Sequence, residues 1–248
     1  MTALSIVVLA ITGWLIGVLV NYLADVLPRT RGFALPVCSE CGKPFKFLDY
    51  GLLRPCMSCN HRRARRAWVL QLMALILVPI VWYFPPDRFG FWVALLYFTY
   101  FAVVFVIDVE HRVILHPVSL VGAILVLPLG IAWNGVWLTL AGGVAGFTIM
   151  FILYYFGILF NKYLAKRRGE EIEEVALGFG DVNLSAVLGL MLGWPKIAIS
   201  LFFSVILGGV ISGLYLFFTV LTRRYQAFTA IPYAPYLIIA AVILIYLA

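Results

Sequence analysis

Charged residues are scarce in this 248-residue sequence. Lysine, arginine, aspartate and glutamate make up 12% of it, whereas hydrophobic residues make up 64%. Soluble globular domains carry about 25% charged residues, and disordered chains carry few hydrophobic ones. The shortage therefore excludes both a soluble globular enzyme and a disordered chain, and it predicts that lipid surrounds most of the protein.

The longest uncharged runs predict the membrane spans, because about 20 apolar residues cross a bilayer core of about 30 Å. We expect an all-α polytopic membrane protein with about eight transmembrane helices. The predicted spans are Met1–Ala24, Ala67–Pro86, Phe89–Ile107, two within Val113–Asn161 that meet at Trp133-Asn134-Gly135, Val182–Trp194, Ile197–Thr222 and Tyr225–Ala248. The first run lacks the basic start of a signal peptide, so we interpret it as a retained helix.

Acidic residues number only 11 against 18 basic ones, which gives a net charge of +7. If eight spans alternate, all the basic residues except Arg88 and Lys196 lie on one side, which the positive-inside rule makes cytoplasmic. The excess of basic residues then indicates contact with the anionic lipids of the inner leaflet and not with nucleic acid. This topology divides the chain into a first transmembrane helix (1–24), a cytoplasmic loop (25–66) and a seven-helix membrane domain (67–248).

Cysteine occurs only four times, and all four cysteines lie in the predicted cytoplasmic loop. Cys38 and Cys41 form one C-x-x-C pair, and Cys56 and Cys59 form a second pair fourteen residues later. Two such pairs suit four-thiolate coordination of zinc. The alternatives are disulfides or redox-active pairs, which a reducing compartment disfavours, and no common site at all. A four-thiolate site has no open position, so we expect this zinc to fold the loop and not to catalyse.

Two carboxylates stand at the edges of predicted spans. Asp108 follows nineteen uncharged residues, and Asp181 follows Gly178-Phe179-Gly180 at the start of the short sixth span. Inserting a carboxylate into the membrane costs about 2.5–3.5 kcal/mol, so the position of each aspartate requires a structural or functional reason. One reason is helix capping, and the other is a pair that shares a proton and hydrolyses a peptide bond without a metal. We expect the two glycines to let a substrate backbone approach Asp181.

The remaining polar candidates have simpler interpretations as solvated or helix-end groups. These are Asp25, Asp49, His111, His116 and the run of Glu170, Glu171, Glu173 and Glu174. Three glycine pairs with four-residue spacing predict close helix packing, namely Gly142/Gly146, Gly189/Gly193 and Gly209/Gly213.

The order of these features resembles that of the type IV prepilin peptidases, which are bacterial membrane aspartic proteases with a GxGD motif. The segments that carry the resemblance are Asn21–Arg29, the paired C-x-x-C loop, Ile107-Asp108, Gly178–Val182, Leu192-Gly193-Trp194 and Ile231–Tyr236. The resemblance implies that Asp108 and Asp181 are the catalytic aspartates. It also implies cleavage of the basic leader of type IV prepilin or pseudopilin precursors, at the cytoplasmic face of the bacterial inner membrane.

Many members of that family also methylate the new N-terminus with S-adenosylmethionine, a function associated with the cysteine loop. The chain departs from the family in reading Ile114-Leu115-His116 where Leu-Pro-Asp is common, and Asn183 where lysine is usual. The alternative from another class is a non-enzymatic membrane scaffold or carrier whose zinc loop binds a partner. A carrier would be expected to show repeated halves and ionisable groups at mid-membrane, and the sequence shows neither.

Overall fold

The structure, a computed structural model, describes residues 3–168, 177–222 and 232–247. Within these ranges the secondary structure is helical, apart from one isolated β-bridge between Val37 and Pro44. The helices are α1 (Ala3–Thr30), α2 (Phe47–Gly51), α3 (Arg65–Tyr83), α4 (Gly90–His111), α5 (His116–Asn134), α6 (Val136–Arg168), α7 (Phe179–Leu192), α8 (Lys196–Leu221) and α9 (Ala234–Leu247).

Six of these helices, α1, α3, α4, α5, α6 and α8, are long and apolar enough to cross a membrane. The prediction of an all-helical, multi-pass membrane protein is therefore confirmed. The count of eight spans stays a prediction, because α7 and α9 have 14 residues each. A helix of that length extends about 21 Å, which is shorter than a typical bilayer core. The predicted start of the last span at Tyr225 and the glutamate run at 170–174 lie outside the described residues.

The uncharged run Val113–Asn161 is divided into two helices where the sequence predicted. Helix α5 ends at Asn134 and α6 begins at Val136. Gly135 between them has a φ of +79°, a left-handed conformation that glycine adopts without steric cost.

The described chain forms two compact units, Met1–Val106 and Ile107–Ala248. In the first unit α1 packs closely against α3, since a Cβ on Gly13 would lie 2.9 Å from the carbonyl oxygen of Ala74. The Asn21 side chain donates from Nδ2 to the Ala67 carbonyl oxygen at 3.2 Å. Small residues and polar interhelical bonds hold such contacts, because lipid provides no hydrophobic drive between helices. The β-bridge and α2 belong to the segment that joins α1 to α3.

In the second unit α7 is largely enclosed by its neighbours, with nine of its fourteen residues buried. Gly142 of α6 faces Gly189 of α7 so closely that a Cβ on either would collide with the backbone of the other. Close packing is thus confirmed for these glycines. The same prediction is wrong for Gly209 and Gly213, where a Cβ would meet no described atom within 4 Å. In the first turn of α7, Asp181 and Val182 are buried in this unit, whereas Phe179 is 40% exposed.

Candidate active site and metal centre

Asp108 lies in the last turn of α4 and is 5% exposed. Its Oδ2 atom accepts a hydrogen bond from the backbone N–H of Ala234, the first residue of α9, at 3.2 Å. The first N–H groups of a helix have no partner within the helix, and the positive end of the helix dipole favours a carboxylate there. Asp108 therefore caps α9, a helix that begins 126 residues later in the chain.

Asp181 lies in the first turn of α7 and is 6% exposed. Its Oδ2 atom accepts the backbone N–H of Gly178 at 3.1 Å. The reciprocal half of a capping box is absent here, because Gly178 has no side chain. The other oxygen of Asp181, Oδ1, is buried and has no hydrogen-bond partner among the described residues. A buried polar atom without a partner is costly, so it is a candidate for a shared proton or a ligand.

The two carboxylates lie close enough to interact electrostatically. Tyr233, the residue before α9, is also within electrostatic range of Asp181, and its hydroxyl lies 3.2 Å from the Oγ atom of Ser204. Two buried carboxylates in range of one another cannot both ionise readily, which favours one proton shared between them. The arrangement can therefore supply an acid and a base at the same place.

The expectation that both glycines before Asp181 admit a substrate backbone is wrong for Gly180. A Cβ on Gly180 would lie 2.6 Å from the Cβ of Ile114 and 3.1 Å from the Ile114 carbonyl oxygen. The space that this glycine leaves is filled by the segment before α5, so Gly180 permits packing. A Cβ on Gly178 would lie 3.5 Å from the Oδ2 atom of Asp181 and 3.9 Å from the Gly180 nitrogen, both ordinary van der Waals distances.

His116 and Asn183 form a contact beside this site that sequence reasoning did not find. The side-chain nitrogens His116 Nδ1 and Asn183 Nδ2 are 3.1 Å apart, and because Nδ2 can only donate, Nδ1 accepts. The His116 ring also meets the edge of Phe179, with ring centroids 6.2 Å apart. His116 is exposed, as expected, but it joins the start of α5 to the start of α7. The only sequence signal was that both positions depart from the family pattern.

The four cysteines come together in the first unit. Their Sγ atoms all lie within 4.8 Å of one another, and the Cys38–Cys59 and Cys41–Cys56 pairs are each separated by 3.6 Å. A tetrahedral zinc ion with bonds of about 2.3 Å holds its sulfurs about 3.8 Å apart. The donor set therefore fits zinc, and the sulfur separations are well beyond the roughly 2.05 Å of a disulfide bond.

The two C-x-x-C turns have the same backbone geometry. The N–H of Gly42 donates to the carbonyl oxygen of Cys38 at 3.0 Å, and the N–H of Asn60 donates to that of Cys56 at 2.8 Å. Gly42 and Asn60 both have left-handed φ angles, of +67° and +55°. Backbone N–H groups of Ser58 and Cys59 lower the pKa of the Cys56 thiol to about 6. A lowered pKa favours the thiolate, which is the form that binds a metal.

Asp25 is not the ordinary helix-end charge that the sequence suggested. It accepts hydrogen bonds from the Tyr50 hydroxyl at 2.6 Å, from Arg63 at 3.2 Å and from Arg66. The Arg63 guanidinium also lies over the rings of Tyr50 and Phe45, 4.1 Å and 5.3 Å from their centroids. Burial, and then the negative charge of Asp25, raise the pKa of Tyr50, so its hydroxyl stays a neutral donor. This cluster ties the cysteine loop to both α1 and α3.

Comparison with known proteins finds one family model and several curated relatives. The model of the type IV leader peptidase family matches residues 95–213, a range that contains Asp108 and Asp181. A prepilin leader peptidase/N-methyltransferase of Pseudomonas putida is 28% identical over 214 residues, covering 82% of this chain and 68% of the relative. The protein of the same name from Aeromonas salmonicida is 26% identical over 221 residues, with the same two shares.

A third relative of the same name, from Stutzerimonas stutzeri, is 32% identical over 140 residues, covering 54% of this chain and 42% of the relative. No solved structure matches the chain significantly. The chain is therefore similar to the type IV leader peptidase family over residues 95–213, which confirms the resemblance predicted from the sequence.

Proposed function

We propose that this protein is a membrane aspartic endopeptidase in which Asp108 and Asp181 hydrolyse the peptide bond. The observation that carries the proposal is that both carboxylates are buried and within electrostatic range of one another. Each is fixed through one oxygen to a backbone N–H at a helix start. A pair held in this way presents its remaining oxygens to a substrate with little freedom to move.

The chemistry needs one proton on the pair. The ionised aspartate takes a proton from a water molecule while the water oxygen attacks the carbonyl carbon of the scissile bond. The protonated aspartate donates its proton to the carbonyl oxygen, which stabilises the tetrahedral intermediate. The intermediate then collapses, the C–N bond breaks, and the leaving amine receives a proton from the pair. Oδ1 of Asp181 is the best-suited carrier of the shared proton, because no donor among the described residues satisfies it.

The substrates in this proposal are type IV prepilin or pseudopilin precursors. Three of the relatives are named prepilin leader peptidases, and the chain aligns with the first of them over 82% of its length. Both carboxylates lie at helix ends and not at helix centres, which suits a bond at the membrane boundary. The distribution of basic residues supports the cytoplasmic face of the inner membrane as the location.

Zinc is proposed as a structural ion bound by Cys38, Cys41, Cys56 and Cys59. When bound, it would cross-link the two C-x-x-C turns and leave no open position for a substrate. No step of hydrolysis depends on it. The names of the relatives also include N-methyltransferase, so methylation of the new N-terminus with S-adenosylmethionine belongs to the proposal.

Single aspartate-to-asparagine variants test the proposal. We expect Asp108→Asn and Asp181→Asn to lose cleavage of a purified prepilin precursor by orders of magnitude, with the double variant scarcely worse than either, because the two residues act as one unit. Glu110→Gln is the matched control, since it makes the same acid-to-amide change two residues from Asp108 on the same helix and should keep most activity. Substantial cleavage by either asparagine variant would mean that the substituted aspartate serves only as a helix cap.

The cytoplasmic location can be tested on the two ends of α6. A membrane-impermeant thiol reagent applied to intact cells should label a cysteine placed at Trp137, which is 84% exposed, and should not label one placed at Lys162. The opposite pattern of labelling would put the carboxylates at the outer face and reject the proposed orientation.

A further inference from the structure

The segment that joins α1 to α3 contains a short apolar stretch that the described residues leave exposed. Phe47 and Leu48 of α2 are 85% and 73% exposed, and Leu52 just after α2 is 48% exposed. The stretch is bounded by Lys46 and Arg54. Three large apolar side chains exposed within six residues are unusual for a loop in water, and such patches mark interaction sites.

The structure places this stretch beside the part of α1 that is predicted to span the membrane. The indole Nε1 of Trp14 donates a hydrogen bond to the carbonyl oxygen of Gly51 at 3.1 Å. Trp14 lies eleven residues before Asp25 in α1, which is about 16 Å of helix further into the span. The Asp25 cluster, with its arginines, has the charge expected at the headgroup level. The end of α2 therefore lies on the membrane side of that level.

The polar groups of the stretch are already satisfied within the protein. The Asp49 side chain is 8% exposed and pairs with Arg54 at 3.4 Å, and the Tyr50 hydroxyl donates to Asp25. What remains outward is apolar, as is the exposed surface of α1, where Leu15 and Leu19 are 62% and 45% exposed. Lys46 and Arg54 flank the stretch, where long cationic side chains can reach lipid phosphates while their stems stay in apolar surroundings.

We propose that Phe47, Leu48 and Leu52 insert into the lipid bilayer. The segment 25–66 is then not a loop held wholly in water but one whose α2 lies at the boundary between headgroups and acyl chains. Lipid then covers these side chains, which the described residues of this unit leave exposed. It also sets the height of the cysteine loop relative to the membrane surface, because α2 and the first C-x-x-C turn are connected through only five residues.

Photo-crosslinking in the full-length protein tests the insertion. p-Benzoylphenylalanine is placed at Phe47, the protein is reconstituted in nanodiscs of phosphatidylethanolamine and phosphatidylglycerol, and adducts are identified by mass spectrometry after irradiation. The matched control is the same residue at Phe45, which has an identical native side chain but lies under Arg63 and against Tyr50. We expect at least about ten-fold more lipid adduct at position 47 than at position 45.

Three outcomes would overturn the proposal. Adducts at position 47 that join two copies of the chain would make the stretch a dimer contact, and adducts to other residues of the same chain would show that protein covers it. Equal amounts of lipid adduct at positions 47 and 45 would show that lipid contact is not specific to the exposed stretch. Bound zinc is measured in each variant, and Leu48 carries the probe in a second variant so that a folding defect at one position does not decide the result.

Discussion

Replacing Gly180 with alanine tests whether close packing at the start of α7 positions Asp181. The new Cβ would lie 2.6 Å from the Cβ of Ile114 and 3.1 Å from its carbonyl oxygen, so either α7 or the segment before α5 must move. Overpacking of this kind costs about 1–3 kcal/mol. Displacement of a reacting group by about 1 Å can cost about 10²-fold in rate. We therefore expect kcat for precursor cleavage to fall about 10²-fold in a protein that remains folded.

Gly178→Ala is the matched control for this substitution. Gly178 has a φ of −81°, which alanine adopts readily, and a Cβ there would lie 3.5 Å from Asp181 Oδ2 and 3.9 Å from the Gly180 nitrogen, without a clash. The N–H group that bonds to Asp181 is retained. We expect its activity to stay within about two-fold of the wild type, which corresponds to roughly 0.5 kcal/mol.

Second substitutions at Ile114 identify the cause of the loss. The nearest atom to the new methyl group is the Cβ of Ile114, so Ile114→Ala should not restore Gly180→Ala, whereas Ile114→Gly should restore part of kcat. Steady-state cleavage of a purified precursor gives kcat and KM, and a double-mutant cycle isolates the pairwise term. Full activity in Gly180→Ala, or an equal loss in Gly178→Ala, would refute the packing argument.

Three further predictions concern the other clusters. Purified protein should contain about one zinc per chain, and Cys41→Ser should lose most of it; metal analysis under reducing conditions decides this. Zinc binds the thiolate and not the thiol, so bound zinc should be released as the pH is lowered and the four cysteines are protonated. Tyr50→Phe removes the hydroxyl that is bonded to Asp25. It should lower the free energy of unfolding by about 0.5–1.5 kcal/mol, measured in a thermal or denaturant titration. An unchanged free energy would mean that the arginines alone hold Asp25.

The helical architecture and the zinc-type cluster were predictable because their signals are local in the sequence. Uncharged runs identify apolar helices one at a time, and the turn at Gly135 is marked by three adjacent residues. The cysteines are spaced so that each turn folds two sulfurs together before the two turns meet. The carboxylates were conspicuous for a similar reason, since a charge beside a long apolar run is unusual in any membrane helix.

The contacts that build the candidate site were not predictable, because they join distant parts of the chain. Asp108 bonds to Ala234 across 126 residues, and His116 contacts Asn183 across 67. Each of the last two residues departs from the family pattern, and only the structure brings the two departures together. The Asp25 cluster was missed for another reason. Its arginines lie in the basic run His61–Arg66, and nothing in the sequence connects that run to Asp25.

Helix capping and catalysis stood as alternatives for the two aspartates, and the hydrogen bonds make them compatible. Each aspartate uses Oδ2 to accept a backbone N–H at the start of a helix, and this charge-assisted bond offsets part of the cost of burial. The same bond limits rotation of the carboxyl group and so orients its second oxygen. An asparagine can still accept that N–H through its own carbonyl oxygen, but it cannot exchange a proton. Replacing one carboxylate oxygen with nitrogen therefore separates helix capping from catalysis. Loss of cleavage in a folded asparagine variant then shows that proton transfer, and not folding, was lost.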